Sequence, residues 1–102
     1  MYKNLYNRTG VPLTITISGD PKVDPPNKNI RITIQPGQIM TVNIDYHYIG
    51  LLQPHINIPE VYFVQSYIVS DKNSDLFHLI NNRDNLQFFF DKNQFLFSIG
   101  YY

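Results

Sequence analysis

The chain has 102 residues, of which 43% are hydrophobic. That length fits one domain with one core, and that apolar content excludes a disordered segment. Its formal net charge is zero and no run of like charges occurs, which argues against a nucleic-acid groove and a polybasic membrane anchor, since both need a basic surplus. There is no cysteine, so disulfides, thiol nucleophiles and cysteine-ligated zinc are ruled out.

Alanine and tryptophan are absent, Glu60 is the single glutamate, and Ile, Asn, Tyr and Phe are abundant. Strong helix formers are therefore scarce while β-branched and aromatic residues dominate. Clusters of Asn, Asp, Gly and Pro cut the chain at regular intervals, which is the signature of a compact all-β domain. A surface poor in Lys and Glu but rich in Asn, Gln and Tyr has the make-up of a contact surface.

The amino terminus, Met1 to Arg8, lacks the apolar stretch of a signal peptide, so synthesis in the cytoplasm without a leader is expected. Tyr2–Tyr6 is a candidate edge strand. Val11, Leu13, Ile15 and Ile17 alternate with Pro12, Thr14, Thr16 and Ser18, the pattern of a half-buried strand. Ser18 to Asn29 holds three prolines and no periodicity, and reads as a loop. Ile30, Ile32 and Ile34 alternate with Arg31, Thr33 and Gln35. Pro36-Gly37 then fits the centre of a type II turn, and Met40, Val42, Ile44 and Tyr46 alternate with polar residues. Residues 30–47 are thus expected to form a hairpin.

Tyr46 to Pro59 carries Gly50, Pro54 and Pro59 and is expected to be a long loop. Its Tyr46, Tyr48, Leu51, Leu52, Gln53 and His55 form the predicted partner-binding surface, because long apolar loops often carry function. Glu60 to Ser70 is apolar on both alternating faces and is expected to be a central strand. Its core, Val61 to Val69, is too short for a membrane helix, so no membrane insertion is expected.

The last third reads as a meander, with Asp71-Lys72-Asn73 and Asp91-Lys92-Asn93 as hairpin loops. Leu86–Phe90 and Phe95–Ile99 are predicted strands. For Leu76–Ile80 a strand is preferred over a short helix capped by Ser74. The ending Phe95 to Tyr102 carries no charge, so it is expected to be paired internally or held in a subunit contact. The sum is a single domain, residues 1–102, folded as an all-β two-layer antiparallel β-sandwich of about seven or eight strands. A small β-barrel is the alternative.

No catalytic constellation emerges. His47, His55 and His78 lack the spacings that build a compact metal site, so no metal and no cofactor are expected. Asp45 and His47 share one strand face, but an alternating strand needs a polar face anyway. Asp24, Asp71, Asp75, Asp84 and Asp91 sit in turn clusters, where Asp caps its own backbone. No serine sits in a nucleophile elbow, the five glycines are scattered singly, and phosphate-cradling loops are absent. Asn7-Arg8-Thr9 matches a glycosylation sequon, a chance match in a chain with eleven asparagines. In Phe88-Phe89-Phe90 neighbouring rings must point to opposite faces, so Phe88 and Phe89 cannot share one core.

The expected function is that of a non-enzymatic structural or interaction module: a small subunit or adaptor of a larger protein assembly of the virion, phage or secretion-apparatus type. Its partner would be another protein or a second copy of itself, with no nucleic acid involved. The alternative is a carbohydrate or small-ligand binding sandwich using Tyr48 and His55. A third reading, an enzyme, would need a site built from Asp45, His47 and Glu60.

Overall fold

The computed structural model describes residues 1–20, 22, 24, 29–58, 61–64, 67, 68 and 72–102. Among these residues nine strands and one helix follow in chain order. They are β1 (Tyr2–Asn7), β2 (Leu13–Gly19), β3 (Ile30–Ile34), β4 (Ile39–Asn43), β5 (Ile49–Ile58), β6 (Val61–Val64), β7 (Tyr67–Ile68), α1 (Asp75–Asn82), β8 (Asn85–Asp91) and β9 (Leu96–Tyr101). One sheet, A, has the order β4-β1-β8-β9, and the other, B, has the order β3-β2-β5-β6 with β7 also on β5. The two packed layers are the expected sandwich, and the sheets do not close into a barrel. One pairing departs from the antiparallel expectation: β1 runs parallel to β8, with Leu5 opposite Leu86.

The alternating strands bury the faces their sequences announce. Leu13, Ile15 and Ile17 of β2 are fully buried, and Ile34, Leu52, Ile56, Leu5, Leu86 and Phe88 meet them from the other strands. Each such side chain contributes about 1.5–3 kcal/mol by leaving water. Between the aligned polar faces of β2 and β3, the Thr14 and Thr33 hydroxyls lie 3.1 Å apart. Phe88 is fully buried while Phe89 turns to the outer face, as the alternation requires.

Five expectations need correction. Residues 30–47 hold two strands and the type II turn, with Gly37 at φ 78° and Gln38 N–H donating to Gln35 C=O at 3.0 Å. They are not a hairpin, however: β3 pairs with β2 in sheet B and β4 with β1 in sheet A. The turn is the corner where the chain changes layers, and alternation alone cannot tell a corner from a hairpin. Tyr2–Tyr6 is not an edge, because β1 lies between β4 and β8.

The predicted central strand 60–70 lies instead at the margin of sheet B: its described parts, β6 and β7, pair with β5 in one register, with His55 opposite Val64 and Leu52 opposite Tyr67, and among the described residues with no other strand. Glu60, Asp71 and the three prolines of the 18–29 loop lie outside the described residues, as do the side chains of residues 61–69. The predicted loop 46–59 is in fact β5, the interior strand of sheet B. Pro54 is buried within the strand, opposite Ile15 of β2. Gly50 marks a close backbone approach: a Cβ there would lie 2.6 Å from Gly19 O, beside the register shift between Ser18 and Gly19.

Residues 75–82 are helical rather than extended. Ser74 caps α1 by accepting from Phe77 N–H at 3.1 Å, and Phe77 and Ile80 are buried. The helix bridges the layers. Asn81 accepts from Ile49 N–H at 2.7 Å and donates to Ile49 C=O at 3.3 Å, imitating a strand neighbour for β5. At its carboxy end the ammonium of Lys3, a fully buried residue of β1, donates to the carbonyls of Asn81 (3.2 Å) and Arg83 (2.5 Å). The last turn of α1 has no basic residue of its own, so Lys3 supplies the cation that its orphan carbonyls and dipole favour. Burial holds that ammonium below the usual lysine value, and the Asp84 charge offsets part of the effect. At the other end of β1, buried Asn7 donates to Val11 C=O and Ile34 C=O, both at 2.8 Å. A fully buried amide with these partners is no glycan acceptor.

Candidate functional site

The six predicted contact residues do not form one surface. Strand alternation divides β5: Leu52 points into the core and is fully buried, while Leu51, Gln53 and His55 take the outer face of sheet B. Tyr46 is buried, with its hydroxyl 3.5 Å from Ile17 C=O. Burial raises its phenol above the usual tyrosine value, helped by the nearby Asp24 charge. Tyr48 packs on Phe77 at 5.5 Å and carries the Lys72 ammonium 4.2 Å above its ring. Tyr46 and Leu52 are therefore core residues, not contact residues.

His47 pairs with Asp24 rather than Asp45. One Asp24 oxygen accepts from His47 N–H at 3.0 Å and lies 3.0 Å from Nδ1 of the same residue. The other accepts from Asp20 N–H at 2.9 Å. Burial alone would raise the carboxyl, but these bonds outweigh it and hold Asp24 at about 2. The arrangement ties Asp20 and Asp24 to the 46–48 segment. A carboxylate-oriented imidazole is half of an acid–base device. Among the described residues, no group of three metal-ligating side chains forms.

The outer face of sheet A holds Asn4, Tyr6, Gln87 and Phe89 in neighbouring register. The Arg8 guanidinium sits 5.5 Å from the Tyr6 ring centre and 5.1 Å from that of Phe89, and donates to Gln87 Oε1 at 3.1 Å. Tyr102 meets Tyr6 edge-on at 5.7 Å. These rings cannot offer an open stacking platform to a sugar, because Arg8 already lies over two of them.

The β9 end of sheet A is different. Of seven large hydrophobic residues left exposed among the described residues, four lie on or beside this strand: Phe95, Leu96, Tyr101 and Tyr102, at 52%, 57%, 52% and 46% exposure. Phe95 also has φ 51°, the only left-handed non-glycine among the described residues. Holding a bulky residue there costs about 1–2 kcal/mol, and such strain gathers at functional positions. Between β9 and α1 runs an open groove of about 650 Å³. Leu76 and Leu79 line it from the helix, Ile99 and Tyr101 from the strand, and Asp75, His78, Asn82 and Arg83 form its rim. The Arg83 guanidinium lies 4.0 Å over the Tyr101 ring, and Asn82 donates to His78 Nδ1 at 2.8 Å. The uncharged ending pointed to β9, which pairs internally with β8. The groove went unseen because the strand reading of 76–80 hid the helix that forms its wall.

Comparison of the chain with protein-family models, with curated proteins and with solved structures yields no match. Among the described residues no helix is long and apolar enough to cross a membrane.

Proposed function

We propose that this chain is a non-enzymatic β-sandwich module that joins a larger protein assembly through the β9 end of sheet A. The observation that carries the reading is the placing of exposed Phe95, Leu96, Tyr101 and Tyr102 at the two ends of β9, the outermost strand of sheet A, with Tyr101 lining the apolar groove. Apolar side chains left in water along an unpaired strand edge invite a partner that covers them. The low content of Lys and Glu fits the same reading, since contact surfaces are depleted in both. The balanced charge argues against a phosphate backbone as partner. The kind of assembly in view is a virion, phage or secretion-apparatus particle.

The test is sedimentation of extract from the cells that make the protein. The native chain should travel with a large particle. The Leu96→Asp, Tyr101→Asp double variant should travel alone while keeping its far-UV spectrum, since both side chains are more than half exposed. A native chain that sediments as a free domain refutes the proposal.

A further inference from the structure

We infer that β9 pairs antiparallel with β9 of a second copy of this chain, joining two A sheets into one of eight strands, four from each copy. This rests on the reading of the β9 end as the contact surface, and names the occupant.

The backbone sets the geometry. Tyr102 N–H donates to Asn85 C=O, directly opposite it across the β8–β9 ladder, whereas Phe88 C=O accepts from Arg8 N–H on the β1 side. In an antiparallel ladder the groups of successive residues alternate in direction. Phe88 therefore turns its groups towards β1, and its partner Ile99 turns N–H and C=O away from β8. No described strand pairs with β9 on that side. Gln87, lying across Gly100, donates to Tyr101 C=O at 2.9 Å, so Ile99 stands as the open position in the middle of the edge. The strand Leu96–Tyr101 has no proline and no charge to guard it.

The side chains point to a second copy. Identical strands bring identical charges together, and β9 has none to repel. Antiparallel self-pairing keeps the faces matched only in every second register. With Ile99 opposite Ile99 of the second copy, the two residues exchange both backbone hydrogen bonds at the two-fold axis. Ser98 then faces Gly100 of the copy, small against small on the outer face. Leu96 faces Tyr102 of the copy, and Phe97 faces Tyr101 of the copy, so each exposed apolar side chain of the strand meets another. On the inner face Ile99 and Phe97 of the copy arrive opposite Ile99 and Tyr101, the two residues of β9 that line the groove against α1. Such an interface is isologous, and it closes at two copies.

The experiment is light scattering on the purified chain across a concentration series, together with hydrogen exchange at the Ile99 amide. A dimer at micromolar concentration is expected, with Ile99 exchange slowing as concentration rises. Ile99→Pro deletes a donor that does not serve β8, and Ile99→Lys sets two like charges at the axis. Each should weaken dimerisation at least about tenfold. The lysine variant carries the test if the proline variant does not fold. A wild-type chain that stays monomeric to about 100 µM overturns the inference, as does a dimer indifferent to a folded Ile99 variant. Either failure leaves the assembly reading standing on its own sedimentation result, which a heterologous partner would still satisfy.

Discussion

Lys3→Met removes the ammonium that closes the end of α1 while keeping a long apolar side chain in the same space. Two hydrogen bonds from a charged donor are lost, to Asn81 C=O and Arg83 C=O. Each such bond is worth about 1.5–3 kcal/mol gross, and a carbonyl shut away from water without a donor costs about 1–3 kcal/mol. Against this, the variant no longer holds a charge in a site sealed from solvent, and that relief returns much of the loss. The net destabilisation comes to about 2 kcal/mol. In a domain of this size 1 kcal/mol moves Tm by about 4–8 °C, so the melt followed by circular dichroism should fall by roughly 10 °C. Amide exchange should quicken first along His78–Asn82. There is also a pH signature. Because the folded state lowers the Lys3 pKa, it releases that proton more readily than the unfolded chain does. Wild-type stability should therefore gain as pH rises from the depressed value to the ordinary 10.5, and the variant should lack this gain. A Tm within about 2 °C of wild type, with unchanged exchange in α1, would refute the bracket role of Lys3.

Three further outcomes are expected. Gly50→Ala drives a methyl to 2.6 Å from the Gly19 carbonyl oxygen, a backbone atom, and should cost about 1–3 kcal/mol in urea denaturation; a neutral result would mean that β2 and β5 can part there freely. Asp24→Asn should flatten the acid side of the stability profile. The folded carboxyl titrates at about 2 and the ordinary one at 3.8, so its contribution is present above 3.8 and disappears as pH falls towards 2. If urea midpoints of wild type and variant run parallel from pH 5 to pH 2, the His47–Asp24 tie is not formed. Leu52→Ala should lose about 2–5 kcal/mol, as a fully buried leucine does, while Leu51→Ala, on the outer face, should lose less than about 1 kcal/mol. Equal losses would contradict the facing of β5.

Strands announced by clean alternation were legible. Leu13, Ile15 and Ile17, and Ile30, Ile32 and Ile34, lie where their period places them. Their pairing was not legible, because a period of two fixes which face is inside and says nothing about which sheet a strand joins. Pro36-Gly37 could be read as a turn, but only the second layer shows that it is a corner. In β5 the breaker residues misled: Gly50 serves a close approach to Gly19, a neighbour far away in sequence, and Pro54 is buried within the strand opposite Ile15. Ser74 was a correct cap signal, outweighed by the alternation of Leu76, His78 and Ile80. At the candidate site, the uncharged β9 could be seen, whereas the groove needed α1 and β9 side by side. Lys3 gave no sign of burial, since a lysine three residues from the amino terminus ordinarily points into water.

The parallel contact between β1 and β8 sets an order on the making of the molecule. Asn4 and Asn85, which hydrogen-bond at 2.7 Å, are 81 residues apart. A nascent chain can lay β1 against β4 early, yet the other side of β1 waits until β8 has been synthesised. Closing so long a loop is entropically costly and slow, and folding rates fall as such contacts dominate. Throughout that wait β1 is an exposed strand edge on an unfinished protein, the kind of surface that draws neighbouring chains into aggregates. Lys3 sits on that edge. A charge on an unpaired strand is of the kind that guards it against other chains. Once α1 and β8 arrive, the same charge is drawn inside and becomes the clasp of the finished fold.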